Sequence, residues 1–202
     1  MKKQNLFVLS AITLFLSACS TTVITDEERE LPKTTETPLQ SQSFNVDYAQ
    51  SFIAFVGSKG DIVSHEGKFK DFDLEIKTDP SDPKNAELAK AIVTIEIPSM
   101  VTDSDGLTTH LLSPDFFDAE TFPKATFITT SVTKTGDDTY QVVADLTIKE
   151  ITKQVSFPIR MNAQFLTFTY DLDRTQFEIG PPAGGLKGID ANVPLEAKIV
   201  FL

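Results

Sequence analysis

The chain has 202 residues, only one of them cysteine, so no disulfide bond can form within it. Its aromatic residues are 16 phenylalanines and 3 tyrosines, and phenylalanine supplies apolar surface without a polar group. The formal net charge of −11 repels nucleic acid, which excludes nucleic acid as a partner. The length allows one domain with a sizeable core, together with a tail.

The N-terminal segment has the pattern of an export signal. Met1–Lys3 carries two lysines, and the apolar stretch Leu6–Leu16 is too short to span a bilayer comfortably. The tetrapeptide Leu16–Cys19 follows, and it resembles the lipobox of bacterial lipoproteins. This resemblance implies cleavage before Cys19, its acylation and a lipid anchor in the cell envelope. Ser20 behind it resembles the sorting signal for the periplasmic side of the outer membrane. An ordinary secretory signal and an uncleaved anchor are the alternatives.

The rest of the chain divides into a tether and a domain. Removal of residues 1–18 takes away two lysines and no acids, which makes the net charge of the mature part −13. Residues 19–42 are rich in threonine, serine, glutamate and proline without apolar periodicity, as is typical of a flexible tether. The acidic run Asp26–Glu30 could bind a partner, but a solvated linker is the commoner explanation. Residues 43–202 are expected to form the folded domain.

Most of this domain alternates apolar and polar residues, as strands with one buried face do. Along one strand, the alternation places Ile128 and Val132 on the face opposite Phe127. Lys149-Glu150 is predicted to form a tight hairpin turn. Seven to nine such strands with short turns predict an all-β fold, either an antiparallel sandwich or a closed barrel. The alternating segments are Phe44–Tyr48, Phe52–Val56, Phe72–Ile76, Ala91–Ile97, Thr126–Val132, Tyr140–Ile148, Ile151–Ile159, Phe165–Tyr170 and Ala191–Phe201.

A short helix is predicted between residues 104 and 119. Ser113, Pro114 and Asp115 match a helix N-cap, a proline at the first helical position and an acid in the first turn. The adjacent Phe116 and Phe117 require burial. We therefore expect a helical cap that closes over an apolar interior.

The sequence contains no recognisable catalytic or metal-binding motif. His65 and His110 are far apart, and neither has the spacing of a metal site. The segment Thr102–Gly106 is similar to a calcium loop, but the bidentate glutamate of such a loop is missing. No Gly-x-Ser-x-Gly elbow is present, and the one cysteine belongs to the anchor. We expect no enzymatic activity, no catalytic residue, no metal and no cofactor.

Several short motifs together resemble one protein family. They are Asn45-Val46-Asp47, Gly67-Lys68-Phe69 with Phe72, Ile97–Thr102, His110–Asp118, Phe122-Pro123, Thr126-Phe127, Asp145–Ile148 and Thr152-Lys153. In this order and spacing they resemble the YceI-like family of periplasmic polyisoprenoid-binding proteins. The resemblance implies a single extended, antiparallel, lipocalin-like β-barrel of about eight strands, whose interior holds a long isoprenoid chain. The stretch Phe165–Gly188 matches the family poorly, and no tryptophan marks the barrel.

The inward faces of the predicted strands and the cap give the candidate ligand-binding residues. The expected partners are an isoprenoid or another apolar lipid, and a membrane reached through the acyl anchor. The same alternation also fits a packed barrel, which would be a ligand-free structural or interaction module contacting another envelope protein. The candidate residues are Val93, Ile95, Phe116, Phe117, Phe127, Val142, Leu146, Ile148, Val155, Phe157, Val193 and Leu195.

Overall fold

The computed structural model describes residues 40–42, 45–61, 63–78, 90–183 and 188–202. The predicted signal peptide, Cys19 and the tether as far as residue 39 lie outside the described residues. Within the described ranges, every helical segment is too short or too polar to cross a lipid bilayer.

Eleven antiparallel strands in the described part form one sheet. The same described ranges contain one α-helix, α1 (Asp105–Leu112), and two 3₁₀ turns, Ile97–Ser99 and Arg174–Phe177. The strands are β1 (Gln40–Gln42), β2 (Phe52–Lys59), β3 (Val63–Phe69), β4 (Phe72–Thr78), β5 (Lys90–Glu96), β6 (Met100–Thr102), β7 (Lys124–Lys134), β8 (Thr139–Ile148), β9 (Ile151–Met161), β10 (Phe165–Asp173) and β11 (Asn192–Val200).

The strand pairings close this sheet into a barrel. Strands β3 and β4 are halves of one bent strand, and they pair with β6 and β5, which are halves of another. Across the bends, Lys70 N donates to Ser99 O at 3.3 Å and Glu96 N donates to Asp71 O at 3.0 Å. From β5 the order runs through β7, β8, β9, β10 and β11 to β2, which pairs with β3. Counted this way, eight strands surround the interior, so the predicted lipocalin-like all-β barrel is confirmed.

Strand β1 lies beside this ring. Its residues Gln40–Gln42 pair with Ile76–Thr78 of β4. These three residues belong to the segment that the sequence analysis assigned to the tether, so ordered backbone pairing begins before residue 43.

The β8–β9 hairpin follows the sequence pattern closely. Val142, Leu146 and Ile148 are buried on one face of β8, while Thr147 on the other face hydrogen-bonds Thr152 across the pair at 2.8 Å. Lys149 and Glu150 form the turn with φ angles of 51° and 62°. Two positive φ angles are what a type I′ hairpin turn requires, so the predicted tight turn is confirmed.

In strand β7, the regular alternation of side chains between the two faces is interrupted. Its register with β8 shifts between Thr129 and Ser131, which leaves Thr130 without a partner residue. Because this bulge inserts one residue, Val132 is buried on the same side as Phe127. The predicted placement of Val132 opposite Phe127 was therefore wrong. Alternation alone carries no sign of an inserted residue.

The helix lies within the predicted region but ends where a start was expected. Helix α1 stops at Leu112, and Ser113 is its C-cap, with its backbone N–H and its hydroxyl both directed to His110 O. A residue before proline avoids helical backbone angles, so Pro114 ends the helix at Ser113. The predicted N-cap role of Ser113 was wrong, and Phe116 and Phe117 lie in turns after the helix.

Three separate segments meet at one end of the barrel. The Lys149 ammonium in the hairpin turn donates to Phe116 O and to Glu178 O, each at 3.0 Å. Gly180 has a φ of +73°, and the Phe116 ring leaves no room for a Cβ atom on it. The hairpin turn, the segment after α1 and the segment after β10 therefore support one another.

Candidate functional site

The interior of the barrel is hollow. It holds a larger chamber of about 470 Å³ and a smaller one of about 160 Å³. Four residues line both chambers, which makes the two spaces neighbours: Ile53, Ile95, Leu146 and Leu195. We call these four residues the waist.

The smaller chamber is almost entirely apolar. Phe157 lines it, with ring centroids 5.8 Å from Phe127, 4.8 Å from Phe168 and 4.9 Å from Tyr170. Burial raises the pKa of the Tyr170 hydroxyl, and the nearby Asp173 carboxylate adds to the increase. The other polar group in the wall, the Thr129 hydroxyl, accepts a hydrogen bond from Ala91 N at 2.7 Å. A hydrocarbon chain would therefore meet a wall with little polarity.

Several inward-facing apolar side chains around the chambers are only half-buried. Val93, Ile95, Phe127, Val193 and Leu195 all line the chambers yet keep part of their surface accessible. In a packed core such side chains would be in contact on all sides. Their remaining exposure shows that the interior is a cavity and not a filled core.

The larger chamber is closed on one side by the segment around α1. Leu107 and Leu111 of the helix and the following Phe116 and Phe117 line it. Phe116 is 5 % exposed and packs its ring on His110 at 4.8 Å. Phe117 is half-buried and meets the edge of Phe69 at 6.4 Å. The cap expected from the sequence is therefore present, although most of it is turn.

Basic groups surround the polar part of the larger chamber. Its described lining includes Lys59, His65, His110 and Arg174 but no aspartate or glutamate, in a chain with 29 acidic residues. Acids lie just behind this lining: Asp103 holds the His65 ring, with Nδ1 3.0 Å from its Oδ1, and the carboxylates of Asp173 and Asp190 are near Arg174. The polar part of the described lining thus presents basic side chains to the chamber, and the acids stand behind them.

Arg174 is the most buried of these basic residues, with 3 % of its surface exposed. Its guanidinium donates to the carbonyls of Asp190, Ile179, Pro181 and Ile189 at 2.5 to 3.0 Å. In the part of the chain that the structure describes, it forms no ion pair. Burial lowers its pKa, and the carboxylates of Asp173 and Asp190 offset part of that decrease.

Asp173 supports the position of Arg174. Its carboxylate accepts hydrogen bonds from Thr175 N at 3.0 Å, Thr175 Oγ1 at 2.6 Å and Gln176 Nε2 at 3.2 Å. These bonds favour the ionised form and lower the pKa of Asp173. The 3₁₀ turn that carries Arg174 is thus capped by a charged group.

The sequence of this barrel matches the model of a known protein family. The model of the YceI-like domain matches residues 44–201. The chain belongs to the YceI-like family. A UPF0312 protein of Pseudomonas putida is 30 % identical over 140 residues, which cover 64 % of this chain and 71 % of that protein.

Solved structures resemble this YceI-like domain. BcnA of Burkholderia cenocepacia aligns with a TM-score of 0.66 and 27 % identity over 78 % of this chain and all of that one. A polyisoprenoid-binding domain from Saccharophagus degradans, implicated in plant cell wall breakdown, aligns with a TM-score of 0.58. Its identity is 18 %, and the match covers 81 % of this chain and 98 % of that one, which shows a shared fold.

The structure places all the predicted ligand-binding residues around the two chambers. Ile95, Leu146 and Leu195 belong to the waist. Phe116, Phe117, Ile148 and Val193 line the larger chamber of the YceI-like domain, and Val93, Phe127, Val142, Val155 and Phe157 line the smaller one. That they contact a ligand stays a prediction.

Sequence reasoning missed two features of the cavity wall. Arg174 was not singled out, because it stands among the charged residues Asp171, Asp173 and Glu178 and the sequence does not mark it as buried. Gly57 was interpreted only as the end of a strand, but it lies inside β2 and faces the larger chamber. A Cβ atom on Gly57 would meet no atom within 4 Å.

A third concave region, of about 600 Å³, lies mainly on the outer face of the barrel. Its lining includes the exposed residues Glu66, Lys68, Asp171 and Glu196, which are surrounded by water. It is larger than either chamber but open and charged. We therefore take the enclosed interior as the candidate site.

Proposed function

We propose that this YceI-like protein binds a long apolar lipid, foremost a polyisoprenoid, inside its barrel. The observation that carries this proposal is the pair of neighbouring apolar chambers lined by half-buried side chains. Apolar cavities stay dry when empty, so a hydrocarbon chain can enter without displacing well-bonded water. The polyisoprenoid-binding domain of Saccharophagus degradans has the same fold and supports the same class of ligand.

The energetics of such binding need no catalytic groups. Each buried methylene contributes about 0.8 kcal/mol, and ligands of this kind reach about −0.3 kcal/mol per heavy atom. A chain of roughly forty heavy atoms would then bind at about nanomolar concentration. The polar head of the lipid would lie in the larger chamber, because that chamber is lined by Ser58 and by the basic residues Lys59, His65, His110 and Arg174.

We further propose that the protein holds its ligand at a bacterial envelope membrane, as a carrier or binding protein. The support is the lipobox-like Leu16–Cys19, followed by a polar tether. Two or three acyl chains give stable membrane attachment, whereas a single chain gives only marginal attachment. This arrangement would keep the mouth of the barrel near the lipid that it takes up.

The test uses lipid extracts of the purified full-length protein. We expect mass spectrometry to find an apolar lipid in extracts of the wild type. Gly57→Leu should reduce that lipid content severalfold, because its Cβ meets no atom within 4 Å and Gly57 lines the larger chamber, whose space the side chain would take up. Gly136→Leu is the matched control, since Gly136 is in an exposed turn outside both chambers.

One pair of results would overturn the proposal. It is wrong if wild-type extracts contain no lipid and added isoprenoids never raise the melting temperature. The ligand-free interaction module would then be the better explanation of the barrel.

A further inference from the structure

The waist is built from opposite sides of the barrel. Ile53 and Leu195 come from the neighbouring strands β2 and β11, and Ile95 and Leu146 come from β5 and β8. In the ring of eight strands, β8 lies opposite β2, and β5 lies three places from β11. Four branched aliphatic side chains from four different strands therefore border both chambers.

The four waist residues differ in burial. Ile53 is 7 % exposed and Leu146 is 9 % exposed, whereas Ile95 and Leu195 are half-buried. Because these four side chains border both chambers, a ligand chain that extends from one chamber into the other must pass between them.

The chemistry differs on the two sides of the waist. The charged and histidine side chains Lys59, His65, His110 and Arg174 all lie on the larger side. On the smaller side the wall is apolar except for the Thr129 and Tyr170 hydroxyls. An amphiphile would therefore enter with its tail towards the smaller chamber, and only the tail would cross the waist.

We propose that the waist residues Ile53, Ile95, Leu146 and Leu195 select the ligand by the length and slenderness of its chain. This inference rests on the proposed function. A short chain is held by the larger chamber alone. A longer unbranched or isoprenoid chain gains further burial by threading into the smaller chamber, and a chain too thick for the waist gains nothing.

Chain length is the variable that tests this selection. The probes are geraniol, farnesol, geranylgeraniol and solanesol, isoprenoid alcohols that share one head and differ only in length. Their affinities for the purified full-length protein are measured by displacement of a fluorescent hydrocarbon. In the wild type we expect affinity to rise along the series beyond the length that the larger chamber holds.

Leu146→Phe should block the waist. We expect it to bind geraniol nearly as the wild type does and to lose the gain of the longer alcohols, roughly tenfold for every two carbon atoms shut out. Leu172→Phe is the matched control, because Leu172 lines the larger chamber only. It should weaken all four alcohols by a similar factor.

Leu195→Phe provides a second block from the opposite side, at a half-buried position that tolerates added volume better than Leu146. If both waist variants weaken all alcohols in parallel with Leu172→Phe, the waist has no selective role, while lipid binding itself stands. If wild-type affinity does not change with chain length, the selection is also wrong. If the wild type binds none of the alcohols, the proposed function itself is wrong.

Discussion

Arg174 places a positive charge inside a wall that is otherwise made largely of apolar side chains. Its four hydrogen bonds all go to backbone carbonyls of residues 179–190, the segment that follows β10. Among the described residues, no other group donates a hydrogen bond to these four carbonyls. The arginine therefore holds residues 179–181 and 189–190 against the 3₁₀ turn that carries it.

Replacing Arg174 tests this role. Arg174→Met removes a buried charge, which is favourable, but leaves up to four carbonyls without a donor, each costing about 1–3 kcal/mol. The cost of up to four unsatisfied carbonyls exceeds the gain from removing one buried charge. We therefore expect the free energy of unfolding to fall by roughly 2–4 kcal/mol. Urea unfolding measures the change, and Arg160→Met on the exposed face of β9 is the control. Equal stability of the two variants would contradict this assignment.

The residue-level predictions from sequence succeeded where a strand keeps a strict period of two. Leu146 and Thr147 point to opposite sides of β8 as the alternation requires, because each is fixed by a regular ladder with β7 and β9. The prediction for Val132 failed because a β-bulge interrupts the alternation of faces along β7, and the residue composition gives no sign of a bulge. Arg174 was missed because its partners are backbone carbonyls, which every sequence contains.

At the scale of elements, the cap contains less helix than its sequence suggests, because it combines helix α1 with the turns that follow the helix. Helix α1 supplies Leu107 and Leu111 to the larger chamber, and the turns after it supply Phe116 and Phe117. Ser113-Pro114 could begin or end a helix from local preferences alone. The helix before Ser113 decides that this residue ends a helix. The carbonyls of its last turn need hydrogen-bond donors, and the Ser113 backbone N–H and hydroxyl both donate to His110 O.

The two phenylalanines of the cap should differ in their effects when truncated. Phe116 is nearly fully buried against Gly180 and His110, so we expect Phe116→Ala to cost roughly 3–5 kcal/mol. Phe117 is half-buried and faces the chamber, so Phe117→Ala should cost less and mainly reduce retained lipid. Thermal unfolding and lipid extraction of both variants measure the two effects. Equal losses of stability with unchanged lipid content would remove the cap from the binding site.

At the scale of the whole molecule, the sequence predicted the barrel, its approximate strand number and the position of its cap. The short motifs and the regular alternation of β8, β9 and β11 carry that information. The hollow interior could not be predicted, because Val93 or Phe127 would alternate in the same way in a filled barrel. Only the joint packing of all eight strands determines how much space remains.

The proposed anchor gives a prediction for the complete protein. Cys19→Ala should abolish incorporation of labelled palmitate and leave an unprocessed or soluble form, because the short apolar segment Leu6–Leu16 anchors poorly by itself. Membrane fractionation with labelled palmitate measures both effects. Ser20→Ala is the control, since it keeps the cysteine and should keep the label. Undiminished labelling of Cys19→Ala would refute acylation at this residue.

The pairing of β11 with β2 sets the order in which this barrel can be completed. Lys198 pairs with Phe52, so the ring is joined by residues from nearly opposite ends of the domain. Hairpins such as β8–β9 can form early because their contacts are local, whereas this seam has the high loop-closure cost of a distant contact. Until β11 is in place, β10 and β2 each present an unpaired edge that other chains can join. We therefore expect closure of this seam to come late in folding and to remove two exposed strand edges at once.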